Sequence, residues 1–287
     1  MISIIGIITT FVLLFGSYTL SGGKFGILLH ALPFEGGMIL GAGCGAFLVS
    51  NNGHVAKKTL KYLSKVFKPT KWKKQDYIDV LLLLFEIIKT MRTKGMAELE
   101  GHIENPHESE IFKHYPRILE DHFAVDFICD TLRLVSMNME NPYQVEDMMN
   151  EAIEKHHHEA THPAHAVQTM ADGLPAIGIV AAVLGVIKTM ASITEPPAVL
   201  GALIGGALVG TFLGVFFAYC FVGPFANKMK EVAEEEGAIY QVIKKVIVTN
   251  LHGAAPQVAV EVGRIAVPSH LQPTFKEIEE SQQNVGK

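Results

Sequence analysis

From Leu174 to Phe225 the sequence reads LPAIGIVAAVLGVIKTMASITEPPAVLGALIGGALVGTFLGVFFAYCFVGPF, and Lys188 and Glu195 are its only charged residues. Two apolar runs, about Leu174 to Ile193 and Val199 to Phe225, flank a tight connection at Glu195-Pro196-Pro197. At ~1.5 Å of rise per residue each run crosses a ~30 Å hydrocarbon layer as a helix. The stretch therefore predicts a helical hairpin in a membrane. Working outward, Ile2 to Leu20 carries no charged residue and reads as a first span. A signal peptide fits it poorly, because no basic segment precedes the run and no small-x-small cleavage pattern follows closely. A weaker second span covers about Leu32 to Ser50, with Glu35 placed at its outer end and Gly41, Gly43 and Gly45 in its middle. Such glycine density permits close helix packing inside a bundle.

The whole chain agrees with this reading. Of its 287 residues 49% are hydrophobic and 18% charged, against roughly a quarter charged in an average soluble domain, and the mean hydropathy is +0.27. Disordered, collagen-like and coiled-coil classes are excluded. A net charge of −5 offers no basic field for nucleic acid. The cysteines, Cys44, Cys129 and Cys220, form no C-x-x-C pair. Neither a P-loop nor a G-x-S-x-G nor an H-E-x-x-H motif is present, so ATP hydrolysis is not expected, enzymatic activity is the weakest class, and no cofactor is implied.

Lysine placement orients the spans, since positively charged loops resist translocation. Lys57, Lys58, Lys61, Lys65, Lys68, Lys71, Lys73 and Lys74 follow span two, whereas the loop joining spans one and two carries only Lys24. The long middle segment is thus cytoplasmic, as are both termini, and Lys228, Lys230, Lys244 and Lys245 after span four agree. The expected fold is an all-α membrane protein with four transmembrane helices and a large cytoplasmic helical domain. Its segments are spans one and two (1–50), a cytoplasmic helical region (51–172), spans three and four (173–226) and a cytoplasmic helical tail (227–287).

Within the cytoplasmic part, Val55, Leu60, Leu63, Val66 and Phe67 recur at helical spacing between lysines. That pattern fits a helix lying on the membrane with Trp72 at the headgroups, and equally a solvated basic helix. A second helix starts near Asp76 as its cap and buries Val80 to Phe85; a third covers Arg117 to Met139; a fourth begins at Asn141-Pro142 and continues toward span three. Histidines 156, 157, 158, 162 and 165 cluster, but no carboxylate or cysteine arrangement completes a metal site around them.

The spans hold few chemical groups. With Glu35 placed at an edge and Lys188 within reach of the loop, no carboxylate is expected at midplane, so a partner chain must supply any proton-carrying group. Gly201, Gly205, Gly206, Gly210 and Gly214 recur at about four-residue spacing in span four, which suits packing within the chain and against a partner alike. Thr211 adds one hydroxyl, a pathway ligand or a donor to its own i−4 carbonyl. Pro175 opens span three and Pro224 closes span four, where a continuing helix would lose a hydrogen bond; a fixed bend and a working hinge both fit.

Several strings resemble the MotA family, stator subunits of the flagellar motor. Ile103-Glu104-Asn105-Pro106, Glu108-Ser109-Glu110-Ile111-Phe112 and Tyr115-Pro116-Arg117-Ile118-Leu119 are similar to its cytoplasmic signature. Leu174-Pro175-Ala176-Ile177-Gly178-Ile179-Val180-Ala181-Ala182-Val183, Val209-Gly210-Thr211-Phe212-Leu213-Gly214 and Ala259-Val260-Glu261-Val262-Gly263-Arg264 extend the likeness, which covers residues 1 to about 279. The resemblance implies an inner-membrane pentamer of this chain around two copies of a MotB-like partner whose single span carries the ion-carrying aspartate. It implies contact of Arg92 and Glu100 with the rotor protein FliG, and conformational coupling through Pro175 and Pro224. Sodium-driven relatives place threonines at three pathway positions, here Ala182, Gly210 and Thr211, so one hydroxyl remains. A dehydrated sodium ion needs several oxygen ligands whereas a proton hops along water, so a proton-driven stator is expected. An ExbB- or TolQ-like energiser of outer-membrane processes is the alternative, though such relatives usually have three spans. A transporter would need polar midplane groups and internal repeats.

Overall fold

Helices are the structures that satisfy an apolar chain's backbone from within, and among the described residues all regular structure is helical. The computed structural model describes residues 2–139 and 141–285. In chain order the helices are α1 (Ile2–Leu20), α2 (Gly26–Ser50), α3 (Gly53–Lys65), α4 (Lys74–Lys94), α5 (Met96–Glu104), α6 (Glu110–Lys113), α7 (Pro116–Leu119), α8 (His122–Ser136), α9 (Pro142–Met190), α10 (Pro197–Phe217), α11 (Gly223–Leu251), α12 (Pro256–Ile265) and α13 (Phe275–Val285). A π-helical turn, Ala218–Val222, joins α10 to α11. Two compact units result. The first combines the residues up to Pro69 with Glu159–Ala233, and the second combines Thr70–His158 with the residues from Glu234 onward. Helices α9 and α11 contribute residues to both.

The first unit holds the four segments long and apolar enough to cross a membrane: α1, α2, the later part of α9, and the run that begins at Pro197. Glycines set the spacing of α9 and α10. A Cβ on Gly214 would stand 2.8 Å from both Gly178 Cα and Leu174 O, and one on Gly178 would stand 2.9 Å from Gly210 O. Gly185 meets Ala207 in the same way, at 2.7 Å. A Cβ on Gly205 would stand 3.2 Å from Ile27 Cγ2 of α2. Packing within the chain therefore uses Gly205, Gly210 and Gly214. Helix α1 has no buried residue and reaches the rest of the unit through rings. Phe11 meets Phe216 at 5.9 Å and Phe221 at 5.4 Å between centroids, and Phe15 meets Phe216 at 5.6 Å.

Several expectations are corrected. Helix α2 starts at Gly26, six positions before Leu32, because Pro33 is accommodated inside it and nothing charged occurs between Gly26 and Phe34. Pro175 does not open a helix; it lies deep inside α9. Pro224 does not close one either: α10 passes through the π turn into α11, with the Gly223 amide donating to Ala218 O five residues back. A π turn relieves the ladder where proline supplies no donor. On α3, Val55 is buried but Leu60 is 72% exposed. Trp72 is not an exposed headgroup anchor. It is 2% exposed, and its Nε1–H donates to Glu236 O at 2.8 Å inside the second unit.

The second unit's core is centred on α4. Leu81, Leu83, Leu84, Ile87 and Ile88 pack with Ile243 and Val246 of α11 and Ala259 and Val260 of α12. Asp76 acts from the third position of α4 and not as its cap, its Oδ2 accepting the Lys73 amide at 2.7 Å. The long third helix splits in two, since Asp121 caps α8 by accepting the Ala124 amide at 2.8 Å.

At the start of α13, Glu277 accepts from Lys74 Nζ and the Thr274 amide, both at 2.7 Å, and from Thr274 Oγ1 at 2.9 Å. The Lys74 bond first, then those from Thr274, hold its carboxyl down from 4.5 to about 2. A depressed folded value means stability that is complete above the unfolded value and vanishes as pH falls through the folded one. Protection of α13 amides against hydrogen exchange should therefore weaken between pH 4.5 and about 2, and Glu277→Gln should flatten that acid dependence. Gly214→Ala should lower the thermal midpoint in detergent, corresponding to about 1–3 kcal/mol of overpacking.

Candidate functional site

The membrane site is built on three helices of the first unit. Glu35 lies nine residues past the start of α2, roughly 14 Å along its axis, and is only 8% exposed. This corrects the expectation that Glu35 stands at the outer edge of its span. Its Oε2 is enclosed and has no hydrogen-bond partner among the described residues. The atom occupies a notch that exists because residue 210 has no side chain: a Cβ there would stand 2.8 Å from Glu35 Oε2 and 3.1 Å from Ala182 N. Three groups from α2, α9 and α10 thus converge. Ala182 and Gly210 were expected on an ion pathway, while Glu35 is the member that sequence reasoning missed. The available signal was the charge-free run from Gly26 to Phe34, which sets the carboxyl well inside the span. Thr211 is half-buried on the next residue of α10. Thr189, by contrast, returns its hydroxyl to Gly185 O at 2.9 Å.

The charged face lies on the second unit. Arg92 lies in the last turn of α4 and Glu100 sits on α5, the two helices joined through Gly95 at φ +89°, in the left-handed region that glycine adopts without strain. Both side chains are exposed, but their engagement differs. Arg92 Nε and Nη2 donate to Asn250 Oδ1 at 3.1 and 2.8 Å, and Nη2 also donates to Ala254 O at 2.6 Å. The guanidinium therefore closes the turn between α11 and α12, satisfying a carbonyl that follows a helix end. Nη1 takes no part in these bonds. Glu100 stands outward on the opposite side of the α4–α5 corner in sequence, with Leu99 beside it fully buried.

Of the histidine cluster, His156 packs on Phe123 at 3.9 Å and edge-on to Tyr240 at 4.9 Å between centroids. Among the described residues no group of three or more metal-ligating side chains converges.

Residues 4–95 match the family model described as motility protein A N-terminal, and residues 119–241 match that of the MotA/TolQ/ExbB proton channel family. Motility protein A of Escherichia coli (strain K12) is 44% identical over 280 residues, covering 98% of this chain and 94% of that protein. The chain belongs to the motility protein A family. A solved structure of the flagellar MotAB stator complex from Bacillus subtilis contains a chain matching at TM-score 0.67 and 25% identity, over 90% of this chain and 92% of that one. The fold also matches a chain of C. jejuni MotAB, at TM-score 0.71 and 20% identity, over 93% and 95% of the two chains. Membership in this family favours a stator subunit over the ExbB- or TolQ-like alternative.

Asn250→Ala should remove the acceptor shared by two Arg92 bonds. A loss of about 1.5–3 kcal/mol is expected for losing hydrogen bonds to a charged group, read as a lower thermal midpoint and faster hydrogen exchange at the α11–α12 turn. Arg92→Lys should show much of the same loss, because an ammonium cannot reproduce the fork.

Proposed function

We propose that this chain is the multi-pass shell subunit of a proton-driven flagellar stator, embedded in a bacterial inner membrane with both termini cytoplasmic. The end-to-end likeness to motility protein A carries the reading. A MotB-like partner supplies the aspartate that ferries the proton. Glu35 is the single acidic residue of the four spans and is enclosed on one helix interface, so it does not by itself make a path from one side to the other. Five copies around two partner chains are the proposed assembly, since the family resemblance implies it.

Ala182, Gly210 and Thr211 line the route beside that partner. One hydroxyl among three positions is too few oxygens to replace a sodium ion's hydration shell, whereas a proton needs only water and a carboxylate. Pro175 and Pro224 are the coupling points. Each removes an amide donor from a long helix, α9 at Pro175 and the continuous α10–α11 run at Pro224, which supports the coupling role.

Arg92 and Glu100 face the rotor protein FliG. Exposed ion pairs are worth only ~0–1 kcal/mol each, which suits a surface that binds and releases at every step. The two residues have distinct tasks in this scheme. Glu100 offers a charge with no hydrogen bond or ion pair among the described residues, while Arg92 offers its Nη1 edge from a guanidinium already fixed to Asn250.

Proteoliposomes carrying the chain with its MotB-like partner should conduct protons, and the chain alone, or a partner with asparagine for the membrane aspartate, should not. Flux from the chain alone would overturn the shared-path reading. Swimming should survive replacement of sodium by potassium at constant pH. Glu100→Lys should impair torque without lowering the thermal midpoint, whereas Arg92→Glu should lower both.

A further inference from the structure

We propose that the crevice between α1, α2 and α10 is a binding site for an anionic phospholipid, with the phosphate on Lys24 and an acyl chain laid along α2. The site goes beyond the stator reading and stands whichever ion drives the complex.

Two cavities line up between these three helices. The first, about 630 Å³, is walled by the end of α1, by Lys24 and the start of α2, and by α10. The second, about 800 Å³, continues along α2 as far as Cys44. They share Phe15, Leu28 and Phe212, so they form one crevice with a waist at those residues. Across the waist the rings of Phe15 and Phe212 meet edge-on at 6.4 Å between centroids. From Leu28 to Cys44 the crevice follows roughly 24 Å of helix, more than the ~15 Å depth of half a hydrocarbon layer. A whole acyl chain fits along it.

The chemistry changes along the crevice. Ser17, Tyr18, Ser21 and Lys24 stand around the first cavity. Beyond the waist, Cys44 apart, every lining residue carries a hydrocarbon side chain or none. A space that is polar and cationic at one end and apolar for the rest matches an amphiphile. Lys24 is the cation of the short α1–α2 loop, and its ammonium is exposed without a hydrogen bond or ion pair among the described residues. Only its carbonyl is engaged, accepting from Tyr18 Oη at 3.4 Å. A phosphate on that ammonium gains a charge-assisted hydrogen bond. No acidic side chain lines either cavity, so a headgroup bearing its own ammonium finds repulsion and no partner.

Size and polarity disfavour other occupants. Buried water needs two to four polar partners, which the second cavity lacks. A helix about 10 Å across would need about 1,900 Å³ over the same length, and neither cavity approaches that. Gly37 and Gly41 line the second cavity, and a Cβ at either would meet nothing within 4 Å; leucine at these positions would close the space. An occupant also serves α1, which has no buried residue and gains a packing surface from a chain lying beside it.

The test uses the complex purified by a tag on this chain and reconstituted into phosphatidylcholine vesicles containing phosphatidylglycerol with a diazirine on one acyl chain. After illumination, mass spectrometry should find adducts on Phe15, Leu28 and Phe212 several-fold more often than on Leu13, Leu48 and Val49, which are exposed outside the crevice. Lys24→Gln should lower the crevice adducts about five-fold, the equivalent of the ~1 kcal/mol that one lysine contributes toward anionic lipid. Gly41→Leu should abolish them with Lys24 in place. Equal labelling inside and outside the crevice means surrounding lipid only and overturns the site. So does labelling indifferent to Lys24→Gln, or equally strong from diazirine phosphatidylcholine. Crevice residues that stay unlabelled in the wild type are covered by a neighbouring copy or the partner, which overturns it as well. Should Gly41→Leu fail to assemble, Lys24→Gln on its exposed loop decides. Proton flux through the same vesicles judges the stator reading separately.

Discussion

Everything in the membrane unit follows from how closely α9 and α10 approach each other. In hydrocarbon, lipid tails are as apolar as leucine, so helices associate by close packing and not by escape from water. Gly178 and Gly214 allow contact of backbone with backbone, at distances where any Cβ would collide. That contact fixes the register of the hairpin. With the register fixed, Gly210 falls one turn away and leaves the notch that receives Glu35, and Gly205 falls against Ile27. The position of α2 is thereby determined from both ends of the same glycine row.

The two prolines take their meaning from long helices. A proline at a helix start uses an amide that would be free anyway; one inside a helix removes a bond that the rest of the ladder must absorb. Pro175 and Pro224 are both of the second kind. Beside Pro224 the adjustment is visible as the π turn, and Gly223 is required there because a Cβ would stand 2.9 Å from Ala218 O. Phe221, within that turn, also holds α1 through Phe11. A local change in helical winding at this place would shift an aromatic contact with the first span, which gives the π turn a mechanical consequence within the unit.

The charged face shows how one residue type does two jobs. Arg92 is exposed, yet two of its nitrogens are spent on closing a turn formed 158 residues later. A substitution there changes shape together with charge. Glu100 changes charge alone. Functional readings of such surfaces depend on separating these two effects, and the hydrogen-bond geometry makes the separation.

Composition and periodicity alone determined the four spans, the burial of Val80 to Phe85 and the helical character of the rest, because length and the 3.6-residue repeat are local properties of a chain. The MotA-like strings could be read from the sequence for the same reason. The tertiary structure alone decided which groups meet. Trp72 finds a carbonyl at Glu236 and Arg92 an amide oxygen at Asn250, and neither pairing has a local signature. With the second span read as beginning near Leu32, Glu35 falls at the edge of a helix. It became a buried carboxyl only when α2 extended back to Gly26 and packed on a glycine 175 residues away in the chain. Secondary structure is dictated by neighbours in sequence; the fate of a charge is dictated by neighbours in space.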